Sequence, residues 1–422
     1  MSAQGSSIKT EVTAGLTTFM AMAYIVVVNP GILSETGMDF GAVFVATCLA
    51  AAFGTLVMGL VANYPVALAP GMGQNAFFAY TIVLAGGYAW QTALGAVFLS
   101  GVLFILISVF PVREWVINAI PRNLKLGISA GIGLFLATIG LQNAGIVVPS
   151  PATMVTFGDL TGFAPLAAIA GFVLIAALTF RRVPGAVLIG MLAVAAAGWL
   201  SGHAPFAGVL AEPPSVTPVL LQLDIVGALN LAMLTVVLSL LLVDVFDTAG
   251  TLVGVATRSG MIDQNGHIPR LRQALLADSS ATFTGALIGT SSTTSYLESA
   301  AGVESGGRTG LTAVVVAALF LLCLLLSPLA QSVPAYASAA ALLFVATAMT
   351  RAVADVEWDD MTEAAPAVIT ALSIPLSFSI ADGIGLGFVC YALIKLCAGA
   401  GRQCPPAVYV LALLFVVKFV LL

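Results

Sequence analysis

Charge is scarce in this chain. Its 422 residues include 14 Lys and Arg and 19 Asp and Glu, 8% in all, where a soluble globular chain carries about 25%. So few charges cannot cover the surface of a water-soluble body of this size, which excludes a soluble enzyme, a disordered protein and a nucleic-acid binder. Histidine is rarer still. The two, His203 and His267, both fall between apolar runs. The five cysteines (Cys48, Cys323, Cys390, Cys397, Cys404) have no paired spacing, and four lie in or beside apolar runs. They read as buried thiols rather than a disulfide framework or a metal set. The short alternating strands of an outer-membrane barrel are missing too. What is present is 60% hydrophobic residues in continuous runs, with 42 Gly. Small residues let helix backbones approach closely in lipid. The class is an all-α polytopic membrane protein.

A span needs about 20 apolar residues, fewer if it is broken. Fourteen are expected, near 13–33, 40–62, 72–86, 91–110, 124–143, 163–180, 185–201, 229–250, 273–289, 295–303, 309–328, 335–352, 364–380 and 383–398. The first follows a polar stretch with Lys9 and Glu11 and has no small-residue cleavage site, so it reads as a retained span. The segment 405–422, after Pro405 and Pro406, fits either insertion or an interfacial position. With the N-terminus in the cytoplasm, inside loops carry Arg113, Arg122, Lys125, Arg181, Arg182, Arg258, Arg270, Arg272, Arg308, Arg351 and Arg402. The outside loops 34–39, 87–90, 144–162, 202–228, 290–294, 329–334 and 381–382 carry no Lys or Arg. That asymmetry satisfies the positive-inside rule and places a multi-pass protein in the cell (inner) membrane.

Two spans are too short for ordinary helices. One contains Ala69-Pro-Gly-Met-Gly-Gln-Asn-Ala-Phe-Phe-Ala-Tyr80 and the other Gly289-Thr-Ser-Ser-Thr-Thr-Ser-Tyr-Leu-Glu-Ser-Ala-Ala-Gly302. Each pairs an extended stretch rich in Gly and Pro or Ser and Thr with about half a helix. They are the third and tenth spans, seven apart, so the two halves have opposite topology. Matching interruptions in two halves indicate a 7+7 inverted repeat with a ligand site at the breaks. Irregular backbone is tolerated at membrane depth only against protein or a wet cavity.

A carboxylate at that depth costs several kcal/mol unless paired, protonated or wet. Asp244 and Asp247 lie in the eighth span, three residues apart and hence on one helix face. Thr248 and Thr251 continue that stripe. Glu298 stands beside one break and Asn75 beside the other. No Lys, Arg or His lies in these spans to neutralise the acids. Phe77, Phe78, Tyr80, Phe246 and Tyr296 are close in sequence. Carboxylates accept N–H hydrogen bonds, a side-chain amide reads a donor–acceptor edge, and aromatic faces hold a flat ring. The set suits a planar neutral heterocycle with several N–H groups. Two or three acids would repel a simple anion.

The stretches Thr18–Pro30, Ala69–Tyr80, Asp244–Leu252, Gly289–Val303 and Gly306–Leu311 together resemble the azaguanine-like (AzgA-like) hypoxanthine/guanine/adenine permeases, a branch of the nucleobase–cation symporters. The resemblance implies two domains. A substrate-carrying core would combine residues 1–110 (spans one to four) with 229–328 (spans eight to eleven). A gate or scaffold would combine 111–228 with 329–422. It also implies proton symport of a purine base and frequent homodimers. By position it implies that Asp247 and Glu298 hold the base, with Tyr296 near the ring and Asn75 and Ala76 in contact. Thr251 stands where the uracil and xanthine branches often carry a histidine, a departure that favours the purine branch and removes a histidine relay.

The expectation is a secondary active transporter that imports guanine, hypoxanthine or adenine with protons, and not an enzyme. Its substrate-binding residues are Asp247, Glu298, Asn75, Ala76, Phe77 and Tyr296. Its proton-coupling residues are Asp244, Asp247, Glu298 and Thr251, with sodium at an Asp244–Thr248 oxygen site as second choice. No cofactor, metal or nucleic-acid partner is expected. The rival is a sulfate-like anion transporter or channel of the same architecture. An intramembrane aspartyl enzyme is disfavoured, because an i, i+3 pair on one helix cannot face both sides of a substrate.

Overall fold

The computed structural model describes residues 6–109, 120–259, 261 and 268–421. Arg113 and His267 fall outside them. The first half opens with α1 (Ile8–Met22), continued after two turn residues by α2 (Ile25–Ser34), then α3 (Phe40–Val57). A short strand β1 (Leu68–Pro70) leads into α4 (Met72–Ala76), which widens into π-helical turns over Phe77–Ala85. Next come α5 (Trp90–Val109), α6 (Arg122–Asn143), a hairpin of β2 (Val147–Ser150) and β3 (Met154–Phe157), α7 (Phe163–Phe180) and α8 (Ala186–Leu200).

The second half follows with α9 (Leu231–Ser259), α10 (Leu271–Ile288), β4 (Thr293–Ser295), α11 (Ser299–Glu304), α12 (Gly310–Cys323) and a short α13 (Ser327–Gln331). It ends with α14 (Ala335–Thr350), α15 (Met361–Ser377), α16 (Ile380–Cys397) and α17 (Pro406–Leu421). Among the described residues nine helical stretches are long and apolar enough to cross a membrane. The others expected as spans are shorter, broken or, in the 18-residue α10 with Arg272 and Asp278, more polar.

Packing sorts the helices into two groups. In one, α1 and α3 lie on α12, α3 and α5 on α10, α5 on α9, and both α1 and α9 on α11. Small residues make these approaches possible. A Cβ on Gly302 would stand 2.6 Å from the Ala14 carbonyl oxygen, so α11 reaches the α1 backbone only because that residue is Gly. Buried Glu11 closes the same group. Its carboxylate accepts from the backbone N–H of Arg308 (3.1 Å) and Thr309 (3.3 Å) and from the Thr312 hydroxyl (2.6 Å), capping the start of α12 where N–H groups lack helical partners.

In the other group α6 packs on α14 and α15, α15 on α16, and α7 on α8 and α14. A polar knot ties its basic end. Lys395 pairs with Glu363 at 2.9 Å, and Tyr391 (2.7 Å) and Asn123 (3.1 Å) donate to the same carboxylate. The two groups touch more sparsely, through α4 with α6, α1 with α8, and α9 with α16 and α17.

The undecided segment has a defined place. α17 runs antiparallel along α16. Phe415 stacks on Phe388 with centroids 6.3 Å apart. Lys418, in the last turn of α17, pairs with Asp382, in the first turn of α16, at 2.6 Å. Sixteen residues span about 24 Å at 1.5 Å per residue, enough to accompany α16 end to end. If α16 crosses the membrane, α17 crosses it too. A tag after Leu422 and a Gln403→Cys probe should therefore react from opposite faces of the membrane. Reaction from one face only would return 405–422 to the interface.

Candidate functional site

The two broken segments find each other. β1 and β4 pair antiparallel, with Leu68 opposite Ser295, Ala69 opposite Thr294 and Pro70 opposite Thr293. The pairing extends at both ends, from the Gly71 N–H to the Ser292 carbonyl and from the Tyr296 N–H to the Ala67 carbonyl, each 2.9 Å. Pro70 has no N–H to offer, so it fits a two-stranded ladder that has no further neighbour. All three residues of each strand are buried. The Tyr296 hydroxyl donates to the Pro70 carbonyl at 2.6 Å, and the Ser291 hydroxyl donates to Asn75 Oδ1. Polar backbone deep in the molecule is thus paired with polar backbone.

The acids lie around this crossing in different environments. Asp244 is fully buried and accepts from Gln74 Nε2 (3.1 Å) and the Thr282 hydroxyl (2.8 Å). Glu298, half-buried just before α11, accepts from the Tyr24 hydroxyl at 2.7 Å. Asp247 lies as deep among protein atoms as Asp244, yet its side chain is open to solvent and has no hydrogen-bond partner among the described residues. The next positions one turn apart on α9, Gly250 and Val253, are also exposed, as is Leu297 beside Glu298. From Thr235 to Val245 the same helix is almost wholly buried. A recess therefore reaches Asp247 from the end of α9 that leads to Arg270 and Arg272.

Toward the opposite end the two groups meet through aromatic rings. Phe135 of α6 meets Tyr80 edge-on at 6.4 Å and Phe378 at 5.5 Å. The Thr81 hydroxyl donates to the Phe378 carbonyl at 2.8 Å, and the Tyr80 hydroxyl to Glu35 at 2.9 Å. Phe378, between α15 and α16, holds a left-handed backbone (φ 51°), a conformation uncommon for a bulky residue.

The structure brings Asp244, Asp247, Glu298, Asn75 and Tyr296 to one crossing. The shared helix face does not give the two aspartates one environment. Ala76 and the Phe77 ring are packed in the apolar core, at 0% and 1% exposure, rather than flanking open space. Thr251 is buried on the turn after Asp247 and makes no hydrogen bond to the carboxylates.

Asp278 was missed by the sequence reading. It is fully buried on α10 and accepts from Thr248 (2.6 Å) and Ser295 (2.7 Å). Its signal was plain, since a lone carboxylate within the expected ninth span is a candidate by the rule applied to the others. Gln74 and Tyr24, as donors to Asp244 and Glu298, were also unforeseen. Only their pairing shows a role.

Residues 9–386 match the permease family Xan_ur_permease. The chain belongs to that family. It is 50% identical over 416 residues to adenine permease AdeP of Escherichia coli, covering 99% of this chain and 94% of AdeP. It is 44% identical over 427 residues to guanine/hypoxanthine permease PbuO of Bacillus subtilis, covering 99% of each. Among solved structures, the transmembrane domain of a cyanobacterial bicarbonate transporter, BicA, superposes with a TM-score of 0.67 at 15% identity, over 88% of this chain and 96% of that one. The permease is a multi-pass membrane transport protein that shares its fold with that anion transporter.

The unequal environments make a stability contrast. Thr282→Val removes one of the two donors to Asp244 in the permease and should lower unfolding free energy by about 1–3 kcal/mol. Asp247→Asn removes no protein hydrogen bond and should change it by no more than about 0.5 kcal/mol. Thermal midpoints of the detergent-purified variants measure both. Equal losses would contradict the open environment of Asp247.

Proposed function

We propose that the permease is a proton-coupled importer of purine bases. The observation that carries this reading is Asp247, a deep carboxylate with an exposed side chain and no hydrogen-bond partner among the described residues. Such a group is expensive to maintain unless it binds something. A neutral purine supplies N–H donors to Asp247 and Glu298, and the Asn75 amide nitrogen, buried and unpartnered, supplies a donor for a ring nitrogen or carbonyl. Tyr296 borders the ring, with Ala76 contributing backbone. Phe77 enters only by leaving the core. The names of AdeP and PbuO, adenine and guanine/hypoxanthine permeases, support the same substrate class.

In this reading the group of α1–α5 and α9–α12 is the moving core, residues 1–110 and 229–328. The group of α6–α8 and α14–α17 is the gate, residues 111–228 and 329–422. The seven-and-seven repeat of fourteen spans relates the two halves, and α17 is an addition to it. The Arg-rich end is cytoplasmic, so the open recess faces inward and the Tyr80–Phe135–Phe378 contact closes the outer path. Asp244, Asp247 and Glu298 are the candidate proton carriers, with Thr251 lining the turn after Asp247. A carboxyl has a neutral and an ionised form, so one side chain can take up and release the proton. One proton per neutral base, driven by about 100 mV, is worth ~2.3 kcal/mol, roughly fifty-fold accumulation.

The anion reading draws on the fold shared with the bicarbonate transporter BicA. At 15% identity that likeness carries fold alone, and the carboxylates at the crossing oppose an anion.

Two substitutions separate binding from coupling. Asp247→Asn should weaken adenine, guanine or hypoxanthine binding by about 1.5–3 kcal/mol, the range for hydrogen bonds to a charged group; wild-type affinity by calorimetry would remove Asp247 from the binding site. Asp244→Asn should retain binding and lose accumulation against a gradient in proteoliposomes with an imposed pH difference. Sustained accumulation would pass the coupling role to Asp247 or Glu298.

A further inference from the structure

Glu298 has a side-chain partner that belongs to neither break. The Tyr24 hydroxyl donates to Glu298 Oε1 at 2.7 Å, and a phenol has one hydrogen to give. Oε2 accepts from no other side chain among the described residues. The tyrosine is buried, at 1% exposure, whereas Glu298 is half-buried beside exposed Leu297. A carboxylate has about four acceptor positions, so this acid is tethered without being used up.

The fold holds Tyr24 in place from two sides. It stands where α1 gives way to α2, and the backbone tightens there. The Val26 N–H bonds the Ala23 carbonyl at 3.2 Å and the Val27 N–H bonds the Tyr24 carbonyl at 3.1 Å, each three residues back instead of four. On the α1 side, Ala14 and Thr18 lie against Gly302 of α11, so closely that a Cβ there would collide with both. Glu298 is the residue just before α11, and the antiparallel course of α1 along α11 brings Tyr24 level with it. On the α2 side, Asn29 Nδ2 donates to Thr47 of α3 at 2.7 Å and to Thr290 of the second break at 2.9 Å. The joint that carries Tyr24 is thus fastened to the same broken segment that carries Glu298.

We propose that Tyr24 is a positioning residue for the purine: its hydroxyl holds the Glu298 carboxylate in one orientation through Oε1 and leaves Oε2 to accept a purine N–H. This rests on the purine-binding reading above. A glutamate side chain has three rotatable bonds, and one left loose must be immobilised when a ligand arrives, at a cost in affinity. A tether made during folding removes that cost from the binding step. The two acids then differ in duty. Asp247, untied among the described residues, adjusts to the base, and Glu298 sets where one N–H of the base must lie. A hydroxyl that served only to brace α1 against α11 would stabilise the site without regard to which N–H the ligand carries.

The test is competition binding to the full-length, detergent-purified permease, with radiolabelled hypoxanthine or adenine as the probe. Each base has an N–H on its five-membered ring and another on its six-membered side, at N1 in hypoxanthine and at N6 in adenine. Methylation at N9, or at N1 (twice at N6 for adenine), removes them one at a time. Tyr24→Phe fills the same buried space and deletes only the hydroxyl. It should weaken binding of the parent base about five-fold. The base methylated at the N–H that Glu298 accepts should bind Tyr24→Phe within about two-fold of wild type, because the contact being loosened is already gone. The base methylated at the other N–H should weaken as the parent does. Glu298→Gln should reduce the penalty for the same methylation that Tyr24→Phe reduces. Equal weakening of all the bases in Tyr24→Phe marks a brace and overturns the proposal. Wild-type affinity in Tyr24→Phe overturns it too, as does a Glu298→Gln effect on the opposite N–H. If the wild-type protein binds neither base, the purine reading fails and this inference with it; if the wild type binds and the methylation pattern is absent, this inference alone fails.

Discussion

Backbone that leaves helical form inside a membrane must find hydrogen-bond partners within the protein. The β1–β4 pairing meets that requirement, and the rest of the site is arranged around it. Gly71, Pro70 and Ala67 in one break are matched by Ser292, Thr293 and Tyr296 in the other. Because each break supplies the other's partners, neither half can form the crossing alone. Helices α2, α3, α9 and α10 then pack on the crossing, and the side chains of α9 and α10 converge on it.

The consequence is a division among the acids. Asp244 and Asp278 serve the scaffold as well as any chemistry, each held by two donors from neighbouring elements. Glu298 is tied once, to Tyr24. Asp247 is exposed and untied among the described residues. One helix face therefore offers a satisfied carboxylate and an unsatisfied one a single turn apart, and proximity raises the cost of ionising both together. A transporter that must bind a neutral base and a proton in sequence gains from such inequality, since the two groups need not titrate as one.

The breaks were legible because Pro70, Gly71 and the Ser and Thr run after Gly289 interrupt apolar segments that otherwise read as helix. The acids at Asp244, Asp247 and Glu298 were legible by depth alone. What joined them was not, because a strand pair between residues more than two hundred positions apart leaves no local signal in strands three residues long. Phe77 shows the limit of adjacency, since it flanks the break in sequence and packs into the core in space. Tyr24 shows the reverse. It lies in an apolar run far from either break in sequence and reaches Glu298 only through the packing of α1 on α11. For α17, composition suited membrane or interface equally, and only the packing shows that it runs antiparallel beside α16, pinned by Lys418 and Asp382.

The central claim is that purine entry and inward positive charge are one event at this crossing. Current across a solid-supported membrane bearing the reconstituted permease tests it most directly. A concentration jump of adenine, guanine or hypoxanthine at equal pH on both sides should move positive charge into the vesicles, while sulfate or bicarbonate should move none. The purine signal should vanish in Asp247→Asn. Current evoked by the anions and not by the purines would contradict the account.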